Sequence, residues 1–193
     1  MACSYNPEVK ETMTISSLRF GTIAMAGLIL LAGCSSTTQA PDVTAAIRDS
    51  LNQAGLKDVA VSQDREKGVV TIKGNVAADS DKMRAESIAK SLAGSQVVAN
   101  EIAVLPPGVE SEAKTINKDL DEGIKKNLDA VLIQQSLHDE VKYDVKNGVV
   151  TLTGDVKSQA TRTAAQQIAA GVPYVQQVVN KLEVKNQKAT STR

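Results

Sequence analysis

The stretch "GVVTIKGNV" at residues 68–76 recurs as "GVVTLTGDV" at residues 148–156, with six of nine positions identical and a displacement of 80 residues. In a 193-residue chain, self-similarity at this spacing favours two small units over one medium domain. The likeness extends to whole elements. From residue 42, "DVTAAIRDSLNQAG" spaces Val43, Ile47 and Leu51 four apart, one stripe of an amphipathic helix with Asp42 as N-cap. "VAVSQDREKGVVTIKGNV" alternates on both sides of a Lys-Gly turn. It predicts a hairpin with Val70 and Ile72 on one face and Val69, Thr71 and Lys73 on the other. "DSDKMRAESIAKSLAG" predicts a second helix, capped by Asp79 or Ser80, with Ala85, Ile88, Ala89 and Leu92 on one side. "QVVANEIAV" ends the unit as a strand, with Val98, Ile102 and Val104 in period two.

Copy two follows the same order. "AKTINKDLDEGIKKNLDAVLIQQ" sets Ile116, Leu120, Ile124, Leu128 and Leu132 four apart on a longer first helix. Asn147-Gly148 supplies the positive φ of a type I′ hairpin turn. "SQATRTAAQQIAAGV" is a helix capped by Ser158, and "VQQVVNKLEV" a last strand in which Asn180 matches Asn100. Gly74 and Gly154 are expected to end the middle strands. Between the copies, "LPPGVESEA" at 105–113 interrupts any helix or strand and reads as a hinge. The fold expected is α+β, two tandem αββαβ units, each a three-stranded mixed sheet with two helices on one face. Small alanines in the second helices (Ala85, Ala89, Ala164, Ala165, Ala169) suit close packing of helix on sheet.

The start of the chain reads as an export signal. "FGTIAMAGLILLAG", residues 20–33, is an apolar run too short to span a bilayer comfortably, preceded by Arg19. Glu8 and Glu11 dilute the positive charge before it, which makes Met13 a candidate for the true start. "LAGC" at 31–34 resembles the lipobox of bacterial lipoproteins, in which the Cys is acylated and the chain is cleaved before it. Two or three acyl chains on Cys34 would hold stably in a membrane, where one chain holds only marginally. That lipid is the sole non-protein group expected; no cofactor and no metal are. Ser35, in place of the aspartate that retains enteric-type lipoproteins in the inner membrane, favours the outer membrane with the protein facing the periplasm. The resulting division is signal 1–33, lipidated tether 34–41, first unit 42–105, linker 106–113, second unit 114–186, and a tail at 187–193. The tail lacks periodicity and is expected to be disordered.

Lys+Arg and Asp+Glu balance at 22 each, and beyond residue 33 the only aromatics are Tyr143 and Tyr174. A nucleic-acid binder needs a basic footprint and stacking platforms, so nucleic acid is not an expected partner. His138 is the single histidine, which leaves no dyad or triad and no convergent metal ligands. Phosphate-cradling loops are missing too, since "KGNVAADS" and "TGDVKSQA" hold one glycine each. The chain reads as non-enzymatic.

The pattern "GVVTLTGDV", then a Ser-capped helix ending "QQIAAGVPYV", then "QQVVNKLEV", resembles the BON domain of bacterial envelope proteins. Both copies carry it, over roughly residues 42–185. Its marker residues here are structural: Gly68, Gly74 and Asn100 in copy one, Gly148, Gly154 and Asn180 in copy two. Copy two places Tyr174 where copy one has Gly94, and that tyrosine is expected to pack on its own sheet. The layout is similar to that of dual-BON outer-membrane lipoproteins that maintain envelope integrity. The resemblance implies that the first domain supports the second, and that the second engages anionic phospholipid largely through its first helix.

The residues add two clues to a binding surface. Residues 142–193 carry eight Lys+Arg against three acids, a net of +5 that anionic headgroups would attract. Val131, Leu132 and Ile133 are consecutive, so one helical stripe cannot bury all three, and Ile133 is the one expected to be exposed. The expected contact set is Lys125, Lys126, Ile133, Lys157 and Arg162, facing phospholipid or an envelope protein. The competing reading is a periplasmic module for a ligand, an ion or peptidoglycan.

Overall fold

A computed structural model describes residues 39–185. The expected signal, Met13, Cys34, Ser35 and the tail at 187–193 lie outside the described residues.

Copy one comprises α1 (Thr44–Gln53), β1 (Val59–Asp64), β2 (Val69–Val76), α2 (Asp79–Ala93) and β3 (Val97–Val104). The sheet order is β1-β2-β3, with β1 antiparallel and β3 parallel to β2. That is the mixed sheet the helical crossover requires. Its core takes Ile47 and Leu51 from α1, Ala85, Ala89 and Ala93 from α2, and Val70, Ile72, Val98 and Ile102 from the strands. The N-cap of α1 is Val43, without a side-chain cap bond, and not Asp42, which lies one residue earlier and accepts from the Thr44 backbone N–H at 2.9 Å. The cap expected at Asp79 or Ser80 is not there. Ala78 precedes α2 without a side-chain bond, and Asp79 is already helical, where its charge suits the positive end of the helix. Leu92 is exposed and Ala93 takes the buried position, because the alanine stripe Ala85-Ala89 continues more directly to residue 93.

Copy two comprises α3 (Glu110–Gln134), β4 (Lys142–Lys146), β5 (Val149–Thr153), β6 (Asp155–Val156), α4 (Gln159–Ala170), β7 (Gln177–Asn180) and β8 (Glu183–Val184). Its sheet is β4-β5-β7 with the same senses, extended by a two-stranded piece, β6-β8. Ile124, Leu128 and Leu132 of α3, Val150 and Leu152 of β5, and Ala165 and Ala169 of α4 form the core. Ser158 caps α4, its Oγ accepting from Thr161 N–H at 3.0 Å.

Three further sequence expectations change. The linker is shorter than 106–113: α3 begins at Glu110, since only Pro106, Pro107 and Gly108 resist helix and the acidic Glu110 and Glu112 suit its first turn. The last strand of copy two is interrupted between β7 and β8 at Lys181 and Leu182. Gly74 bends the middle strand of copy one rather than ending it, whereas β5 of copy two ends just before Gly154, as expected. Beyond each, the chain leaves the antiparallel neighbour and continues along the parallel one, through Val76 in copy one and as β6 in copy two.

The sheets leave one face each free of helices, and these faces pack on each other. Val69 and Ala99 of copy one meet Val149 and Val179 of copy two, a cluster closed by two pairs of residues at the repeat displacement. The contact is pseudo-two-fold. The β1–β2 turn reaches the end of copy two, where Lys67 pairs with Glu183 and Lys181 Nζ lies 3.1 Å from Asp64. Conversely, the β4–β5 turn reaches β3, with Asn147 Nδ2 donating to the Glu101 carbonyl at 2.7 Å. The symmetry is broken on β3. There the Gln177 side chain donates to Val98 O (2.6 Å) and accepts from Asn100 N–H (3.1 Å), standing in for a neighbouring strand. Edge groups that would otherwise invite another chain are thereby taken. In copy one the equivalent position is Val97, which has no such side chain.

Glu101 sits half-buried at this contact, and burial raises its pKa above 4.5. A raised carboxyl pKa means the charged form is disfavoured in the folded state. The resulting penalty is absent below 4.5, grows as pH rises through the folded value and is complete above it. Glu101→Gln should therefore melt higher than wild type at pH near 8, with the gap closing in acid. Thermal melts across pH check this; a gap that widened in acid would contradict it.

Candidate functional site

The structure positions the expected contact residues on and around α3. Its two halves differ in what they cover. Ile124, Leu128 and Leu132 are buried, whereas Ile116 and Leu120 on the same stripe are 58% and 39% exposed. The stripe outruns the sheet it packs on, because the helix starts well before β4–β5 can meet it. Leu132 is fully buried and Ile133 is 57% exposed. Lys126 and Ile133 are seven apart, on one face of α3, with exposed Ala130 between them. Lys126 has no ion-pair partner among the described residues.

The C-terminal half of α3 is fastened to copy two by a polar cluster. Asp129 Oδ1 accepts from Tyr143 OH and lies near His138 Nε2, each at 2.9 Å. Burial, with the Asp129 carboxylate at its hydroxyl, pushes Tyr143 up to about 12. The single histidine thus has a structural partner. The Asp121 carboxylate accepts from Asn147 N–H (2.8 Å) and Gly148 N–H (2.9 Å), fixing the helix to the β4–β5 turn. Nothing in the sequence pattern distinguished Asp121 from other helix-surface acids.

The remaining expected contacts are engaged. Lys125 Nζ lies 3.6 Å from Asp144, and Lys157 Nζ 2.5 Å from Glu140, whose carboxylate raises the lysine's pKa. Lys185 lies 3.4 Å from Asp155. Arg162 is half-buried beside the last strand, donating to Asn180 O at 3.3 Å, with its Nε unpartnered. Carboxylates from outside the C-terminal stretch thus meet two of its cations, Lys157 and Lys181, the latter through Asp64. Lys142 and Lys146 are exposed and, like Lys126, unpaired among the described residues.

The repeated asparagines hold helix, strand and edge together. Asn100 is 4% exposed; its Nδ2 donates to Glu86 Oε2 (3.0 Å) and its Oδ1 accepts from Ile102 N–H (3.3 Å). Asn180 repeats this with Gln166 Oε1 (3.1 Å) and Leu182 N–H (3.1 Å). Tyr174 does not pack on its sheet: it is 73% exposed, with a positive φ of 68°. A side chain in that region costs about 1–2 kcal/mol. Tyr174→Gly should thus stabilise copy two by about 0.5–1 kcal/mol after the greater freedom of glycine in the unfolded chain is discounted. Urea melts would expose a loss instead.

Where the chain enters is also fixed. Ala40 N–H donates to Arg65 O (2.9 Å), and Gln63 Nε2 donates to Pro41 O (2.7 Å), placing residues 40–41 at the β1–β2 turn. That turn lies against Lys181 and Glu183, whose strand pairs with β6 beside Gly154. Gly154 in turn packs on Glu140, just beyond α3. The incoming chain and the C-terminal end of α3 therefore share one end of the molecule.

A cleft of about 120 Å³ between the copies is lined by Asp79, Lys82, Leu120, Asp121, Tyr174 and Gln176, among others. Burial lowers the pKa of Lys82, which donates to Gln176 Oε1 at 3.2 Å, and Asp121 is already committed to the turn. No cluster of His, Cys, Asp or Glu among the described residues could hold a metal ion, and no described helix is long and apolar enough to cross a membrane.

Against known proteins, the family model described as "BON domain" matches residues 39–106 and 118–186. Osmotically-inducible protein Y of Escherichia coli (strain K12) is 32% identical over 150 residues, 74% of this chain and 71% of that protein. Among solved structures, the C-terminal domain of CdsD, a structural protein of the type III secretion system of Chlamydia trachomatis, aligns at 15% identity. That alignment has a TM-score of 0.31 and covers 74% of this chain and 67% of that one.

Proposed function

This chain belongs to the BON-domain family, in two copies, and from that premise we propose that it is a non-catalytic envelope lipoprotein whose second copy adheres to anionic phospholipid. In this reading Cys34 carries the acyl chains and the outer membrane holds them, with both copies in the periplasm. The kinship with an osmotically inducible protein fits a part in keeping the outer membrane intact under stress.

The observation that carries the reading is the exposed face of α3 that combines Lys126 with Ile133 at the end of the molecule where the chain enters. A tether of a few residues from Cys34 reaches at most about 3.3–3.6 Å per residue, so this end would stay near the bilayer. A cation there gains about 1 kcal/mol from anionic headgroups, and an exposed isoleucine can enter the interface. Lys125 and Lys157 contribute less in this scheme, since carboxylates already face them, and Arg162 contributes less because it is half-buried against the last strand. Copy one serves as the support, its open sheet face covering that of copy two.

The test is flotation of a Cys34→Ser chain with neutral or anionic vesicles over a salt series. Binding confined to anionic vesicles and weakened by salt is expected. Lys126→Ala should lower the partition by about fivefold, and Ile133→Ser should weaken it at every salt concentration. No flotation with anionic vesicles at low salt would refute lipid adhesion and direct attention to a protein or wall partner. Fractionation of cells expressing the Cys34 variant tests the anchor separately.

A further inference from the structure

We propose that Asn147-Gly148 is a deamidation site guarded by Asp121, and that conversion of Asn147 to aspartate or isoaspartate unlocks the two copies. The chain contains one Asn-Gly pair, and it forms the β4–β5 turn. Glycine leaves its own nitrogen unshielded, which makes such a pair the most reactive context for an asparagine side chain. The Gly148 nitrogen loses its proton to solvent base and attacks Asn147 Cγ. The N–Cγ bond forms, the Cγ–Nδ2 bond breaks, and the departing NH2 takes a proton from water and leaves as ammonia. Water then opens the five-membered imide at either carbonyl, giving aspartate or isoaspartate. No oxidation or reduction is involved, and water is the only co-reactant.

The fold restrains this reaction at its first step. Gly148 N–H, whose proton must leave, donates to Asp121 Oδ1 at 2.9 Å, and Asn147 N–H donates to Oδ2 of the same carboxylate at 2.8 Å. The carboxylate both holds the proton and, by its charge, opposes an amide anion beside it. Gly148 is buried, and the Asn147 side chain is held away by its bond to the Glu101 carbonyl of copy one. That same bond makes the modification consequential. Nδ2 is a donor across the contact between copies; an aspartate there would set a carboxylate against a carbonyl oxygen, beside half-buried Glu101 and Asp121. Isoaspartate would also lengthen the backbone of a two-residue turn.

The experiment incubates the whole chain at alkaline pH and follows the peptide containing Asn147 by mass spectrometry, which reads replacement of the amide NH2 by OH. Folded wild type should convert slower than the same chain in urea by about tenfold or more, and folded Asp121→Ala should approach the urea rate. Asp121→Asn, which keeps an oxygen acceptor without the charge, should fall between and serves if the alanine variant does not fold. Equal rates in wild type and both variants would overturn the guard, and a lack of conversion at Asn147 even in urea would overturn the site. For the unlocking, Asn147→Asp should raise amide exchange in β3 and β7 by about fivefold. Unchanged exchange would refute it.

Discussion

Gly154→Ala is expected to destabilise copy two by about 3 kcal/mol or more, enough to unfold a unit of this size at physiological temperature. The backbone at Gly154 has φ 121°, a conformation for which L side chains have no allowed well. A Cβ there would stand 2.4 Å from the Glu140 carbonyl oxygen, and the atom in the way is backbone, which cannot rotate aside. Relief would require β4 to move off β5 and take Val141, buried in the core, with it. Gly74 presents the same geometry in copy one, at φ 142° and 2.1 Å from the Asp58 carbonyl oxygen, so its alanine variant should fail alike. Gly68 provides the control. Its φ of 62° is left-handed but its surroundings are open, and alanine there should cost only about 1 kcal/mol. Urea melts of the three variants would refute the close-approach argument if Gly154→Ala and Gly68→Ala proved equal.

Asn100→Ala should cost about 2–3 kcal/mol, more than Asn180→Ala. Asn100 lies on β3, whose Ile102 N–H points away from β2 and has the Asn100 side-chain Oδ1 as its partner. Ile102 is fully buried, so without Asn100 that N–H is left dry and unpaired. Glu86 would also lose a donor. Its pKa is held low by the Lys90 ammonium and by Asn100, so the alanine variant should make stability less sensitive to acid. The sign follows from linkage: a depressed carboxyl pKa stabilises above its unfolded value of 4.5 and is lost as pH falls through the folded one. Removing part of the depression should therefore flatten the acid limb of the stability profile. Asn180 is half-exposed and faces the neutral Gln166, so solvent can replace it at lower cost. Equal losses for the two variants in denaturant melts would show that burial does not set the difference.

Fold and element order were legible because they rest on short-range periodicity. The stripe Ile47-Leu51, the alternation Val70-Ile72 and the cap Ser158 each recur within a few residues, and the repeat supplied every element twice. The site was half legible. Three consecutive apolar residues forced one outward, and Ile133 is the exposed one. The charge excess after residue 142 did not reveal that Lys157 and Lys181 have ion-pair partners, because a count within that stretch does not see Glu140 and Asp64, which lie outside it.

The sequence by itself determined two αββαβ units and the asparagines at the last strands, since both follow from local pattern and repetition. Only the tertiary structure decided that the two bare sheet faces cover each other. Alternating Val69 and Thr71 read the same whether they face water or a second sheet. It also decided which half of the α3 stripe is covered, that Gln177 completes the edge of β3, and that Asp121 holds the β4–β5 turn. Each of these is a contact between residues far apart in the chain, whose energy depends on distance in space and leaves no periodic mark in the order of residues.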